Sequence, residues 1–424
     1  MITTFLHKIS LVFKDATLRK RILFVLVALV MFRALATIPV PGVNVLQLEQ
    51  FFANNQFLGL LNVFSGGGLS NLSIVMLGVA PYITASIIMQ LMTIMSPKLK
   101  AMYQEEGEAG KKKFSQYSRL LSVPLALLQG FGFLVLLSRQ GIVMDLGMFG
   151  LLTNVIIVTA GSLLLMWIGE LITEFGIGNG VSLIIFAGIV AGFPTTISQL
   201  LFTFSVSQIP LYLGFVLAAV LITAGVVIVT EAERPIPITY AKRIRGMKVY
   251  GGVSTYLPLR VNQAGVIPII FALSILLFPQ MILNFLANAS NEIVIAISSV
   301  MLRFFENQIV YASLYFILVF LFTYFYTAVT FDPDSISKNL QKTGAFIPGV
   351  RPGQTTSQYI GKILTRITLV GAIFLGLIAV LPLGMQALTG VTALAIGGTA
   401  LLIAVSVVLD LVRKIDAQIS IREY

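Results

Sequence analysis

Residues able to do covalent or acid–base chemistry are few in this chain, and they are scattered. There is no Cys, and the single His, His7, lies close to the N-terminus. This excludes disulfides, thiolate metal sites and Cys nucleophiles, together with most imidazole acid–base chemistry. No Walker A sequence, HExxH or GxSxG is present, and no pair of carboxylates is spaced for catalysis. The stretch GIGNG at 176–180 has the composition of a nucleotide loop, but it lacks the third glycine and no strand precedes it. It reads as a helix break. The chain is expected not to be an enzyme and to need no cofactor and no metal.

The elements behind these residues are set by composition. Hydrophobic residues make up 57% of the 424 and charged residues 11%, against about 25% charged in a soluble domain. So little charge cannot cover a water-facing surface, and the solvent is expected to be lipid. A span needs roughly 20 mostly apolar residues. Ten windows qualify: 22–40, 73–95, 119–138, 150–172, 181–203, 209–230, 264–286, 309–331, 367–385 and 391–412. Pro194 and Pro382 interrupt the fifth and ninth, which membrane helices tolerate when neighbours satisfy the freed carbonyls. The first window has a rival reading. Lys20 and Arg21 precede an apolar run ending near Ala34-Leu35-Ala36, the pattern of a signal peptide with its cleavage site. The apolar character continues through Ile38 and Val40, which suits an uncleaved helix better.

Charge sets the orientation. All of the 28 Lys and Arg except Arg33, Arg139 and Arg303 fall in the N-terminal segment, the loops 96–119, 231–263 and 332–366, and the C-terminal tail. By the positive-inside rule both termini are cytoplasmic. The turn near Glu170 and Glu174 is the exception, cytoplasmic by count yet without Lys or Arg. Ten spans split into five and five, residues 1–203 and 204–424, and an odd number per half makes the halves inverted. The predicted class is all-α, with ten membrane helices in two inverted halves.

Intramembrane charge is sparse, namely Arg33, Glu170 and Asp410, all near span ends and explicable by snorkelling to the interface. A coupled secondary transporter, the alternative function, keeps ionisable groups near the midplane, and none lies there. An ion channel needs a ring of carbonyls or charges, and none is visible. The remaining kind of pathway is an apolar constriction that excludes ions by dewetting.

Two features exceed a plain bundle. Residues 57–70, FLGLLNVFSGGGLS, are too short to span and read as a re-entrant or surface helix, with Gly66, Gly67 and Gly68 as a flexible hinge. The long loops 231–263 and 332–366 carry Lys242, Arg243, Arg245, Lys248 and Arg351. The first alternates apolar and polar β-formers and predicts a hairpin. Basic loops of this kind suit anionic lipid, ribosomal RNA phosphates or an acidic protein face.

Seven stretches, in order along the chain, resemble the SecY family, the large subunits of bacterial protein-conducting channels. They are FRALATIPVPG (32–42), NVFSGGGLS (62–70), APYITASIIMQLMT (80–93), GEAGKKKFSQYSR (107–119), MWIGELITEFGIGNG (166–180), STYLPLRVNQAGVIPIIFA (254–272) and GAFIPGVRPGQTT (344–356). The resemblance implies an hourglass pore in the bacterial inner membrane, with an aliphatic ring at Val79, Ile83, Val181, Ile185, Ile270 and Ile403. Val79 and Val181 are smaller than Ile, so the ring is expected to be slightly looser or its neighbours closer. It implies a plug at 60–72, including Leu61, Asn62, Val63, Phe64, Ser65, Gly66, Gly67 and Gly68. It implies a lateral gate with polar positions at Thr84, Gln90 and Asn262, whose amides are expected to hydrogen-bond across the closed gate. Arg245, Lys248 and Arg351 are the implied contacts for the ribosome or the SecA motor, and SecE and SecG the implied small partners. Signal sequences and nascent polypeptides are the implied cargo. The tail ends soon after SIREY, which puts in doubt any contact that the family makes through a longer tail.

Overall fold

In a bilayer the backbone has no water to bond, so each spanning segment must satisfy its own amides and carbonyls. The computed structural model describes residues 15–42, 62, 65–69, 71–104, 106–139, 141–143, 147–202, 209–241, 243–245, 248–250, 254–286, 291–389 and 392–423. Every apolar window carries a helix. The first half contains α1 (Ala16–Ala36), α2 (Ala80–Met95), α3 (Pro97–Gln104), α4 (Gly107–Arg139), α5 (Gly147–Phe175) and α6 (Gly180–Phe202). Then come α7 (Ile209–Glu231), α8 (Ile267–Leu286), α9 (Glu292–Glu306), α10 (Gln308–Thr330), α11 (Pro333–Thr343), α12 (Gln354–Thr389) and α13 (Thr392–Glu423). Among the described residues, four stretches are long and apolar enough to cross a membrane: Gly107–Ser138, Gly147–Phe175, Gln308–Thr343 and Gln354–Gly384. Shorter apolar helices accompany them at Ala80–Met95, Gly180–Pro194, Ala219–Glu231 and Ile267–Leu276. The chain is a mostly helical, multi-pass membrane protein.

Hydropathy located the helices but not their ends. In the second window residues 73–79 are turns, and α2 begins only at Ala80. Gly78 takes a φ of 58°, and Pro81 sits in the first turn, where its missing N–H costs nothing. Helices α4 and α12 start in polar sequence well before their apolar windows, because a hydropathy window reports lipid and not helix. Helix α1 runs unbroken through Ala34-Leu35-Ala36. The helix α9 was not anticipated; Asn291 caps it, its side chain accepting from Ile293 N–H at 3.0 Å. The GIGNG stretch is a helix break between α5 and α6, with Gly178 at φ 96° and Thr173 Oγ1 accepting from Gly180 N–H at 2.9 Å.

The chain divides into two compact units, Met1–Val216 with Leu273–Tyr311 and Pro382–Tyr424, and Leu217–Ala272 with Ala312–Leu381. In the first, α1 packs on α5 and α6, α2 on α4 and α5, and the C-terminal α13 on α6. One apolar core gathers Leu69, Leu72 and Met76 with Leu134, Leu137 and Val158.

The second unit adds β-structure to the expected all-α class. Strands β1 (Glu233–Tyr240), β2 (Arg243–Arg245), β3 (Lys248–Tyr250) and β4 (Ser254–Arg260) come from the first long loop, and β5 (Ala345–Phe346) from the second. They form an antiparallel sheet in the order β4-β1-β5 and a small β2–β3 ribbon. Along β1, Ile236 and Ile238 are buried while Pro235 and Pro237 are exposed, the alternation of a half-buried strand. Ile236 and Leu259 join Ile347, Ile360 and Leu364 in one apolar core. The predicted hairpin is present, and the two loops form a single folded platform.

Candidate functional site

The six aliphatic positions sit where helices begin or pack. Val79 is the residue preceding α2 and Ile83 follows one turn later, its N–H bonded to Val79 O at 3.0 Å. Val181 and Ile185 repeat this i, i+4 spacing at the start of α6, which puts each pair on one helix face. Val79, Ile83, Ile185, Ile270 and Ile403 are buried, and Val181 is half-buried. Helix α13, carrying Ile403, packs on α6, carrying Val181 and Ile185. Ile270 lies in the first turn of α8, in the second compact unit. Gly169 lies close under Val181: a Cβ on it would stand 3.4 Å from Val181 Cγ2.

Of the segment expected to be a plug, Leu60, Leu61, Val63, Phe64 and Ser70 lie outside the described residues. The rest is tightly held. Ser65 Oγ donates to Asn62 O at 3.0 Å and accepts from Leu69 N–H at 3.0 Å. Gly67 N–H reaches Asn62 O at 2.8 Å, and Ser73 Oγ donates to Gly68 O at 2.9 Å. Arg33 Nη1, from α1, donates to Gly66 O at 3.2 Å. Gly66 and Gly67 adopt φ of 68° and 82°, a region that side chains disfavour. Space is equally demanding. A Cβ on Gly188 of α6 would lie 2.0 Å from Gly66 Cα, and one on Gly66 would lie 2.4 Å from Phe32 Cζ. Gly66 and Gly67 thus permit a close backbone crossing.

The neighbouring turns, 71–79, solve the problem of irregular backbone among membrane helices by borrowing polar side chains. Val40 N–H bonds to Leu72 O at 2.8 Å and Ile74 N–H to Ile38 O at 2.9 Å. From α5, Ser162 Oγ donates to Gly78 O at 2.8 Å and Asn154 Nδ2 to Pro41 O at 3.3 Å. Gly161 allows the approach, since a Cβ there would lie 2.1 Å from Ile74 O. None of Gly161, Ser162 and Gly188 stood out in the sequence, where each looks like an ordinary small membrane-helix residue. Arg33 did, but as a snorkelling charge.

Thr84, Gln90 and Asn262 each take a local partner. Thr84 Oγ1 donates to Ala80 O at 3.0 Å, Gln90 Nε2 to Ser86 Oγ at 3.3 Å, and Asn262 Nδ2 to Gly265 O at 3.3 Å. Among the described residues, no donor reaches the buried Gln90 Oε1 or Asn262 Oδ1. Glu170 differs from the snorkelling expectation: Arg119 Nε of α4 lies 2.5 Å from its Oε1. This pair supplies the cation that the turn near Glu170 lacks.

Arg245 and Lys248 occupy directly opposed register positions at the end of the β2–β3 ribbon. Arg351 is exposed on the turn between β5 and α12, its carbonyl accepting from Thr356 Oγ1 at 2.8 Å. All three belong to the same compact unit.

A family model for SecY matches residues 73–412. The protein translocase subunit SecY of Mycobacterium bovis is 42% identical over 431 residues, which is 97% of each chain. A solved protein-conducting channel matches the fold with a TM-score of 0.67 at 19% identity, covering 95% of this chain and 92% of that one. Sec61 in the canine ribosome–channel complex of the endoplasmic reticulum gives 0.62 at 18% identity, over 95% and 92%. With the family model matched across most of its length and a relative this similar over nearly all of both chains, the chain belongs to the SecY family of protein translocase subunits.

Proposed function

We propose that this chain is the pore subunit of a passive protein-conducting channel. Unfolded secretory polypeptides pass through it, and hydrophobic helices leave it sideways into lipid. The observation that carries this reading is the 42% identity to a translocase subunit over 97% of both chains. The chemistry agrees with it. In this reading an aliphatic ring at Val79, Ile83, Val181, Ile185, Ile270 and Ile403 offers no hydrogen bonds, so it resists water and ions. For the same reason it accepts any side chain that is pushed through.

In this reading all ten apolar helices cross the bacterial inner membrane, as inverted halves 1–203 and 204–424 around an hourglass pore, with both termini cytoplasmic. The segment 60–72 plugs the outer funnel, and Arg33, Phe32 and Gly188 hold it there. Thr84, Gln90 and Asn262 line a lateral gate. Hydrogen bonds across such a gate are worth about 0.6 kcal/mol each in a membrane, so a signal sequence can open it. Energy comes from outside, from a SecA-type motor or a ribosome, and SecE- and SecG-type subunits brace the channel. The β-platform is the cytoplasmic dock. Exposed Arg351 calls for an external anion, and Arg245 and Lys248, at opposed register positions of the β2–β3 ribbon, are the further contacts in this reading. Ribosomal RNA phosphates supply it, with anionic lipid as a second source.

The test is site-specific crosslinking in membranes. A photoreactive residue is placed at Ile83, Ile185 or Ile270, with a control at exposed Leu128 of α4. The substrate is a secretory chain stalled halfway through export. Strong adducts at the three positions and little at the control are expected. No adducts at any of them, with the stalled chain shown to be membrane-engaged, would overturn the assignment.

A further inference from the structure

Helix α9 has three faces. Ser298 is buried on one, at 1% exposure. Glu292, Ser299 and Arg303 share a second. Ile293, Ile297, Val300, Met301 and Phe304 make a third, and these five are 51–70% exposed. At about 100° per residue they fall within one stripe roughly a quarter of the circumference wide. Among the described residues, nothing covers this stripe.

The ends of α9 decide what does cover it. Asn307 alone separates it from α10. The Asn307 N–H closes α9 on Arg303 O at 3.3 Å, and its Oδ1 accepts from Ile309 N–H at 3.1 Å and Val310 N–H at 3.4 Å to open α10. One residue thus caps both helices. The stretch Gln308–Thr343 is long and apolar enough to cross a membrane, so the C-terminal end of α9 is fixed at a membrane boundary. The exposed apolar surface continues past the junction to Ile309, itself 78% exposed. At 15 residues α9 is too short to span, being about 22 Å long.

We propose that α9 is an interfacial helix, its apolar stripe sunk among lipid acyl chains and Arg303 level with the phosphates. The Asn307 cap then fixes the depth at which α10 enters the membrane. An apolar stripe flanked by a charged face is the general pattern of helices that lie in the headgroup layer. Placing α9 at the outer leaflet rests on the topology proposed above; the lipid contact does not.

The absence of native Cys makes the test direct. Ile297→Cys, Val300→Cys and Ser299→Cys variants of the full chain are nitroxide-labelled and reconstituted in phosphatidylcholine–phosphatidylglycerol vesicles. Relaxation by oxygen, which concentrates in lipid, is compared with relaxation by a water-soluble nickel complex. Oxygen is expected to dominate at 297 and 300, and nickel at 299. Dominance of nickel at all three sites would overturn the proposal by placing the stripe in water. Labels at 297 and 300 immobile and reached by neither reagent would overturn it in favour of a protein partner or a second copy. In right-side-out vesicles, a lipid-exposed stripe with the label at 299 shielded from an impermeant reductant would refute only the outer-leaflet topology.

Discussion

Two regions of this protein are built without membrane helices, and they are held together in opposite ways. The platform of β1, β4 and β5 rests on a continuous apolar core, with Ile236, Leu259 and Ile360 each at most 2% exposed. Its strands are in register over seven paired positions between β1 and β4. The described residues from Asn62 to Val79 form no ladder of that length. Leu69, Leu72 and Met76 tie the later part into an apolar core of their own, but the described residues from Asn62 to Gly68 are held by single side-chain bonds from Arg33, Ser65 and Ser73 and by a glycine crossing with no side chain between the backbones. Buried apolar area resists opening in bulk, whereas a few separate hydrogen bonds, each worth about 0.5–1.5 kcal/mol net, can be released singly. The first design suits a surface that must keep its shape while a partner pushes on it. The second suits a segment that leaves and returns.

The sharpest way to break that contrast is to weaken the platform. Ile236→Ala is expected to destabilise the second unit by about 2–5 kcal/mol. Amide hydrogen exchange should accelerate along β1 and β4 while the resting ion conductance in planar bilayers stays low. A rise in conductance would mean that the two regions are not independent.

Next in size is Gly188→Leu, which drives a side chain into the Gly66 backbone. Overpacking of this kind costs about 1–3 kcal/mol and should raise resting conductance by expelling the 62–79 segment. Gly192→Leu, one turn further along α6 and facing open space, should do nothing. Equal conductance in the two variants would refute the crossing as a seal.

Smaller again is Arg33→Gln, which keeps a donor near Gly66 O but loses the charge. A loss of about 1 kcal/mol is expected, seen as conductance between that of the parent and of Gly188→Leu. The smallest effect on stability is that of Arg351→Ala on the exposed turn, within about 0.5 kcal/mol. Its effect should lie in binding. Ribosome or motor affinity should fall and its salt dependence should flatten, which titration against ionic strength would measure.

Legibility in the sequence followed the physics of each part. The spans were readable because lipid demands long apolar runs whatever they pack against. The platform was half readable. Period-two alternation in 233–260 marked a hairpin, but nothing local said that Ala345 and Phe346 would pair with Tyr240 and Thr239, since strand pairing between distant segments leaves no spacing signature. The crossing at Gly188 was not readable at all. Glycine is common in membrane helices, and only the position of Gly66 in space distinguishes Gly188 from Gly192. Likewise Ser162 differs from other membrane serines only through the Gly78 carbonyl beside it.

What the sequence determined alone was therefore solvent, helix content, charge asymmetry and family, because these depend on residue types summed along the chain. What tertiary structure decided was which small and polar residues meet irregular backbone. Arg33 became a donor to the plug segment, Arg119 the partner of Glu170, and α9 an amphipathic helix tied to α10 by a single Asn. Each is a matter of distance between residues far apart in sequence or of a face left uncovered, and neither quantity exists until the chain has folded.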